Sequence, residues 1–475
     1  MKKLLYLTAC LVWVFSTRSL SAQKQIFTAD QFLFYVKKWH PVAVQARIGV
    51  DMGESTVTQA RGGFDPKLSS TLDNKYFKET EYYKLLGAGL KVPTWYGLEL
   101  QAGYDQNSGV YLNPENNLPP GGLWYGGVSA SLGQGLFIDQ RRASLRQAQL
   151  LYDASRAERD NTLNDLLFDA TSQYWKWVAA SNQLAVFQEA LQLANERFEA
   201  TKQSFVLGDE PAIDTLESYI QLQNLQMNAS QALIDFQQES LKLSNFLWYD
   251  NNTPLEVTEL LVPPDLDANL PRVPLAGDSL AVLLQSLPTT HPQLISYGYK
   301  QKSLEIDRRL KAEYLKPKLN VKYNALTQAT GNNWVGSLSA QNYKWGLDFS
   351  FPLFLRAERG NLQLAKLKIQ DINQEIELKG WELENKLKNY FQQQLILDEQ
   401  VRLFSSAVVN YRAMLDAERR KFETGESSIF LINTRQQKLI EAQLKLIELK
   451  TKYIVSQSGV LWAAGILQQQ VELGD

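Results

Sequence analysis

Residues able to do acid–base or metal chemistry are scarce in this chain. Histidine occurs twice in 475 residues, at His40 and His291, and cysteine once, at Cys10. Each histidine is followed by proline, Pro41 and Pro292. A matched pair of imidazoles could suggest a site. The residue before a proline avoids the helical region, however, so each His-Pro step marks the break between two helices. Both histidines are therefore read as structural. With only four methionines besides, little is left for a soft-metal or imidazole centre. No nucleophile stands beside a base, and there is neither a metal-ligand cluster nor a phosphate-binding loop. The expectation is a protein that is not an enzyme and carries no cofactor or metal.

The bulk properties narrow the class further. The formal net charge is −2 and the pI near 6.0, which leaves no electrostatic footprint for nucleic acid. Residues 1–22 have the form of an export signal: Lys2 and Lys3, an apolar run from Leu4 to Phe15, and Leu20-Ser21-Ala22 as a small-residue cleavage site. A rival reading takes Leu7-Thr8-Ala9-Cys10 as a lipoprotein processing box, with Cys10 lipidated, although only four apolar residues would precede it. Under the first reading the mature chain has no cysteine and hence no disulfide framework. Beyond Phe15 no run of eighteen apolar residues occurs, so a transmembrane helix is not expected. If this protein spans a membrane, it does so with strands.

The elements around these sparse groups are unusually long. From Leu136 to Phe205 there is neither proline nor glycine, which predicts one helix of roughly 100 Å. A second copy begins at Leu353. Phe354 minus Phe137 gives 217, and the same offset joins Arg142 to Arg359, Tyr174 to Phe391, Phe205 to Phe422 and Gly208 to Gly425. A different offset, 251, joins His40-Pro41 to His291-Pro292 and Pro66-Lys67-Leu68 to Pro317-Lys318-Leu319. The chain is a tandem duplication.

Strands are predicted between those two registers. Leu319, Val321, Tyr323 and Ala325 alternate with polar residues, as do Tyr343, Trp345, Leu347, Phe349 and Phe351. Period-two alternation flanked by aromatics suits a strand with lipid on one side and water on the other. A soluble hairpin on a core would alternate too, but the export signal and the abutting helix favour the membrane. The first repeat has its equivalents at about residues 68–76 and 124–136. Since 251 − 217 = 34, it carries 34 extra residues there. They include two more alternating runs, Leu86 to Val92 and Tyr96 to Tyr104, forming an added hairpin at about 79–112. Periodicity alone leaves open whether this hairpin enlarges the barrel or forms an external loop.

After each strand pair comes a helical hairpin. In the second repeat Leu362, Ala365, Ile369, Ile372, Ile376, Leu383 and Leu387 mark a heptad seam interrupted at Lys379. Each long helix ends near a glycine, and returning helices start near Pro211 and Ser427-Ser428. The expected organisation is repeat 1 over residues 23–251, a proline-rich connector over 252–278, repeat 2 over 279–466 with strands at about 318–353, and a tail over 467–475. The fold class is a mixed α+β membrane protein, a β-barrel continuous with a long α-helical coiled-coil tunnel. Four or six strands cannot close a pore, because small barrels start at about eight. Identical chains must complete it.

Two motif pairs carry a family resemblance. Gly-Leu-Phe-x-x-x-x-Arg at Gly135–Arg142 is matched by Pro-Leu-Phe-x-x-x-x-Arg at Pro352–Arg359, and Phe-x-x-Gly at Phe205–Gly208 by Phe422–Gly425. With the helix-His-Pro-helix start of each repeat, these resemble the TolC-type outer-membrane efflux channels over essentially the whole mature chain. The strand-to-helix junctions would be Phe137, Arg142, Phe354 and Arg359. The resemblance implies a homotrimer in the outer membrane of a Gram-negative bacterium with a periplasmic extension. It also implies a periplasmic adaptor and an inner-membrane pump of the RND or ABC class as partners. The duct would serve efflux or type I secretion, with an iris-like gate at the helical tips.

By the same resemblance the adaptor would dock on Phe205, Val206, Leu207 and Gly208, and on Phe422, Thr424, Gly425 and Glu426. Family members carry aspartates just past the second tip, but this chain has Leu431 and Thr434 there. The matching positions of the first repeat hold Asp214 and Glu217, the candidate acidic ring, which would attract cations. Both also suit an ordinary first helical turn. Arg435 is a candidate to tie the tips between protomers. A contrasting reading is a periplasmic coiled-coil scaffold or adaptor without a pore, which would leave the aromatic-flanked strands unexplained.

Overall fold

A computed structural model describes residues 25–208, 210–258, 260–267, 277–328, 339 and 341–471. The export segment with Cys10 lies outside these, as do residues 268–276 of the connector and 472–475 of the tail. In chain order the elements are β1 (Gln25–Ile26), α1 (Ala29–Trp39), α2 (Pro41–Arg61), β2 (Lys67–Phe77), β3 (Thr80–Pro93), β4 (Leu98–Ser108) and β5 (Leu123–Ser131). Next come α3 (Gln140–Leu207), α4 (Ala212–Ser244), β6 (Trp248–Tyr249), β7 (Thr253–Pro254), β8 (Leu261–Val262) and α5 (Gly277–Thr290). The chain continues through α6 (Pro292–Glu313), β9 (Lys318–Thr327), β10 (Tyr343–Ser350), α7 (Arg356–Glu423), α8 (Ile429–Ala463) and α9 (Leu467–Gln470). No described helix is long and apolar enough to cross a membrane.

The duplication is visible in the elements. Both α3 and α7 run unbroken for 68 residues. Both α2 and α6 start at a proline and are capped by the preceding histidine, whose Nδ1 accepts the N–H of Val42 and of Gln293, each at 3.2 Å. The two histidines are thus equivalent helix caps. Thr28 and Gln31 form a reciprocal capping box at the start of α1, at 3.3 and 3.2 Å.

The chain divides into two units. One comprises the described residues of Met1–Tyr35, Thr171–Arg272 and Gln400–Lys452, the other those of Val36–Ala170, Val273–Glu399 and Tyr453–Asp475. The second, here the strand unit, contains a curled six-stranded sheet in the order β10-β9-β5-β4-β3-β2. All five pairings are antiparallel. The added hairpin, β3 and β4, therefore lies within the sheet between β2 and β5. In this unit α7 buries the expected seam: Ala365, Ile372, Leu383 and Leu387 are buried, and Lys379 escapes by pairing with Glu382 at 2.6 Å.

The first unit, here the tip unit, is mainly helical. Ala190 and Ala194 of α3, Leu222 and Leu225 of α4 and Ile440 of α8 form one core cluster, and Leu415 of α7 packs with Ile432 and Leu439 of α8 in another. Alanine on α3 lets neighbouring helices approach closely. Near the connector, β6 pairs with β7 and β1 with β8, so short strand pairs occupy part of what composition alone reads as an extended link.

Candidate functional site

Three features can do work: the two faces of the sheet, the junctions between sheet and long helices, and the helical tips. The sheet register sorts the side chains by polarity. One row across it reads Val92, Leu100, Val128, Tyr323, Trp345. The next row, on the opposite face, reads Lys67, Lys91, Gln101, Gly127, Asn324, Lys344. The apolar face is open: Leu68 is 82% exposed, Trp345 63% and Phe349 67%. Contiguous exposed apolar surface of this kind marks a lipid or protein contact. The polar face makes its own bonds, with Gln101 Nε2 donating to Asn324 Oδ1 at 2.6 Å, Ser131 Oγ to Asn320 Oδ1 at 2.7 Å and Lys322 facing Asp348 at 3.7 Å. A sheet with one apolar and one polar face has the form of a conduit wall.

At the first junction Arg142 is 6% exposed. Its Nη2 donates to the carbonyls of Gly135 and, at 3.1 Å, of Leu136, and its Nε lies 3.4 Å from Asp139 Oδ2. Asp139 also caps α3 by accepting the Arg142 N–H at 2.8 Å. Phe137 stays exposed, with the Lys316 ammonium 4.4 Å from its ring centroid. At the second junction Phe354 is 73% exposed, Arg356 stacks on it at 5.2 Å, and Arg359 points into the open.

The tips share one construction. Gly208 has φ +86 and Gly425 φ +76, the left-handed turn that terminates a helix and favours glycine. Gly425 N–H bonds the Phe422 carbonyl at 2.9 Å and Glu426 N–H that of Lys421 at 2.8 Å, a Schellman motif, and Gly208 N–H repeats the inner bond to Phe205 at 3.0 Å. The Phe-x-x-Gly spacing is thus the spacing of this cap. Phe422 packs against the Leu415, Ile432 and Leu439 cluster, while Phe205, Val206 and Leu207 face outwards. Thr424 Oγ1 donates back to the Lys421 carbonyl at 3.0 Å.

Asp214 and Glu217 are half-buried on the first turns of α4, for which Pro211 is the N-cap rather than a first-turn residue. Arg435 lies 3.4 Å from Glu418 of its own chain, and Ser427 Oγ donates to the same carboxylate at 2.6 Å. The Ser427 hydroxyl and then Arg435 hold the Glu418 carboxyl below the usual carboxylate range. The structure thus brings Arg435 together with Glu418 and Ser427 at the second tip.

Two further clusters are built from residues outside the repeated motifs. In the tip unit the half-buried guanidinium of Arg197 clamps α3 to α8, with Nη1 to Asn433 Oδ1 and Nη2 to Gln436 Oε1, both at 2.6 Å. Burial, with Arg419 near by, lowers its pKa to about 10. The position 217 residues on is Met414, so repeat symmetry could not reveal it. In the strand unit Trp462 stacks on Phe168 at 4.2 Å, lies 3.8 Å from the Lys386 ammonium and donates to Asp165 at 2.7 Å. Beside it His291 is buried, and burial plus the Lys386 charge lowers its pKa to about 4. Among the described residues no group of three or more His, Cys, Asp or Glu could hold a metal ion.

Comparison with known proteins agrees with this geometry. The outer membrane efflux protein family matches residues 41–247 and 283–465, one segment for each repeat. The chain belongs to that family, and its work is therefore that of an outer-membrane efflux duct. No curated protein matches the chain. Among solved structures, the Neisseria gonorrhoeae MtrE outer membrane channel in its open state is similar at TM-score 0.67 and 14% identity, over 96% of this chain and 95% of that one. The Campylobacter jejuni CmeC outer membrane channel gives 0.63 and 14%, over 92% and 85%. The outer membrane protein VceC from Vibrio cholerae gives 0.64 and 13%, over 92% and 96%.

Proposed function

We propose that three copies of this chain form a continuous duct through the outer membrane and into the periplasm of a Gram-negative bacterium. The observation that carries this reading is the six-stranded sheet, apolar on one face and polar on the other, which has no strand partner at either edge among the described residues. In lipid each unsatisfied backbone group costs several kcal/mol, so the edges demand identical neighbours. The helices ask for the same. Leu367, Trp381 and Leu395 on α7 are exposed and lie two heptads apart, a second apolar stripe alongside the buried seam. A neighbouring copy would cover it.

Conduction is passive, and the helical tips are the gate. An adaptor docks on Phe205, Val206, Leu207 and Gly208 and on Phe422, Thr424, Gly425 and Glu426, and couples the duct to an inner-membrane RND or ABC pump. The exposed apolar residues of the first tip support such a contact. Asp214 and Glu217, three copies of each, form the acidic constriction. Arg435 acts through Glu418 by holding the start of α8 against α7. Substrate choice belongs to the pump, so the same duct suits an efflux or a type I secretion system.

The test is electrical. The purified full chain should migrate as a heat-modifiable trimer and conduct in planar bilayers, with cation preference in the closed state. Asp214→Ala with Glu217→Ala should reduce that preference and change block by divalent cations. Unchanged selectivity would remove the gate role from these two residues. A detergent-independent monomer that never forms pores would end the duct reading.

A further inference from the structure

We propose that the added hairpin is part of the pore wall and that β2 of one copy pairs with β10 of the next. The trimer would then close a barrel of eighteen strands, six from each chain. This rests on the trimeric duct proposed above and specifies its wall.

Four observations carry it. First, the strands alternate in direction through all five pairings, so the two edge strands, β2 and β10, run antiparallel. Pairing between copies therefore repeats the geometry already used within one. Such head-to-tail contacts generate a ring whenever the rotation closes.

Second, the faces stay in register from edge to edge. The row Leu68, Leu90, Ala102, Gly126, Ala325, Tyr343 crosses the whole sheet and carries no charge. A neighbour's β10 beside β2 continues lipid face to lipid face, and Lys67 and Lys344 stay with the polar one.

Third, the added strands are long enough to cross. β3 has 14 residues and β4 has 11, against 11, 9, 10 and 8 for β2, β5, β9 and β10. A tilted crossing takes about 9–11. Along β3, Leu86, Ala88, Leu90 and Val92 form an unbroken apolar edge, and the charges on that face, Glu81 and Lys84, lie towards the Lys78-Glu79 turn.

Fourth, the hairpin is locked into the sheet. Tyr125 of β5 lies across β4 and onto β3, so closely that a Cβ at Gly103 would overlap its ring and one at Gly89 would sit 2.9 Å from its hydroxyl. An aromatic laid over bare glycines in neighbouring strands pins their register. An external loop would have no use for this contact.

The consequence is a wider outlet. Barrel diameter grows roughly linearly with strand number, and 16–18 strands leave an aqueous channel. With the hairpin in the wall the diameter is about one and a half times that of a trimer contributing four strands per chain. The hairpin thus sets the largest cargo that can leave through the membrane part of the duct.

The test uses the full chain in detergent. One cysteine on β2 (Leu68→Cys, Ser70→Cys or Leu72→Cys) is combined with Leu347→Cys on β10, and the protein is oxidised. At least one combination should give covalent dimers and trimers that reduction dissolves. Electron cryo-microscopy should count eighteen strands, and deletion of residues 78–111 should bring the barrel to about two-thirds of the parent diameter. A trimer in which no combination cross-links overturns the edge pairing. A twelve-strand wall with the hairpin outside overturns its place in the wall and leaves the duct intact. Loss of the trimer itself would instead refute the reading on which this one rests.

Discussion

The two strand-to-helix junctions carry the same motif and finish it differently. In repeat 1, Arg142 is folded back onto the Gly135 and Leu136 carbonyls and held by Asp139. In repeat 2, Arg359 is exposed. One substitution accounts for the contrast. The position 217 residues after Asp139 is Arg356, a cation where the first repeat has the carboxylate. Arg356 cannot hold Arg359 and stacks on Phe354 instead. The arginine stands in both repeats, but its carboxylate partner stands only in the first. The first junction satisfies itself within the chain, and the second leaves apolar and cationic groups exposed.

Arg142→Ala sharpens this contrast most. It leaves Asp139 without its ion pair and two carbonyls without a donor, so a loss on the order of 3 kcal/mol is expected in urea unfolding of the solubilised chain. Arg359→Ala should change the monomer by less than about 0.5 kcal/mol. Equal losses would show that the two junctions are alike after all.

The histidine caps offer a second contrast, between a half-buried His40 and a buried His291. His291 has a folded pKa of about 4 against an ordinary 6.5, so the unfolded chain takes up the proton first. Stability should be complete above about pH 6.5 and fall as pH drops towards 4, by on the order of 3 kcal/mol. His291→Asn keeps a capping acceptor and should flatten that slope in thermal melts. A slope unchanged by the substitution would assign it to other groups.

On α7 the buried seam and the exposed stripe can be set against each other. Trp381→Ser should lower the temperature at which the proposed trimer dissociates on a gel, by the loss of about 2 kcal/mol of burial per chain, and leave the monomer's helix content unchanged. Leu387→Ser, on the seam, should instead unfold the monomer. The smallest effect is expected at the tips. Gly208→Ala and Gly425→Ala each force a side chain into positive φ with no crowding neighbour, costing roughly 1 kcal/mol. Equal, small losses in native-state hydrogen exchange at both tips would confirm a shared cap. A large loss at one would reveal a contact specific to that tip.

Much of this was legible from residues alone. The offsets of 217 and 251 paired Gly208 with Gly425 and His40 with His291, and both pairs proved to be matched turns and matched caps. Alternation placed β9 and β10 to within a residue or two, because a half-buried strand must alternate. Asp139 and Arg356 were equally readable, yet a motif with variable middle positions directs attention away from them. Arg197 and Trp462 gave no such sign, since their partners lie on other helices, 236 and 297 positions away along the chain.

What the sequence alone determined is local and periodic: which segments are helix or strand, where each turns, and that the whole is doubled. Those properties depend on dihedral preference and on which residues repeat at 2, 3.5 or 217 positions. Only the tertiary structure decided the membership of the sheet, the fate of each junction arginine and the burial of His291. Each of these depends on which distant segment arrives alongside, and a hydrogen-bonding edge or a desolvated charge exists only once that neighbour is in place.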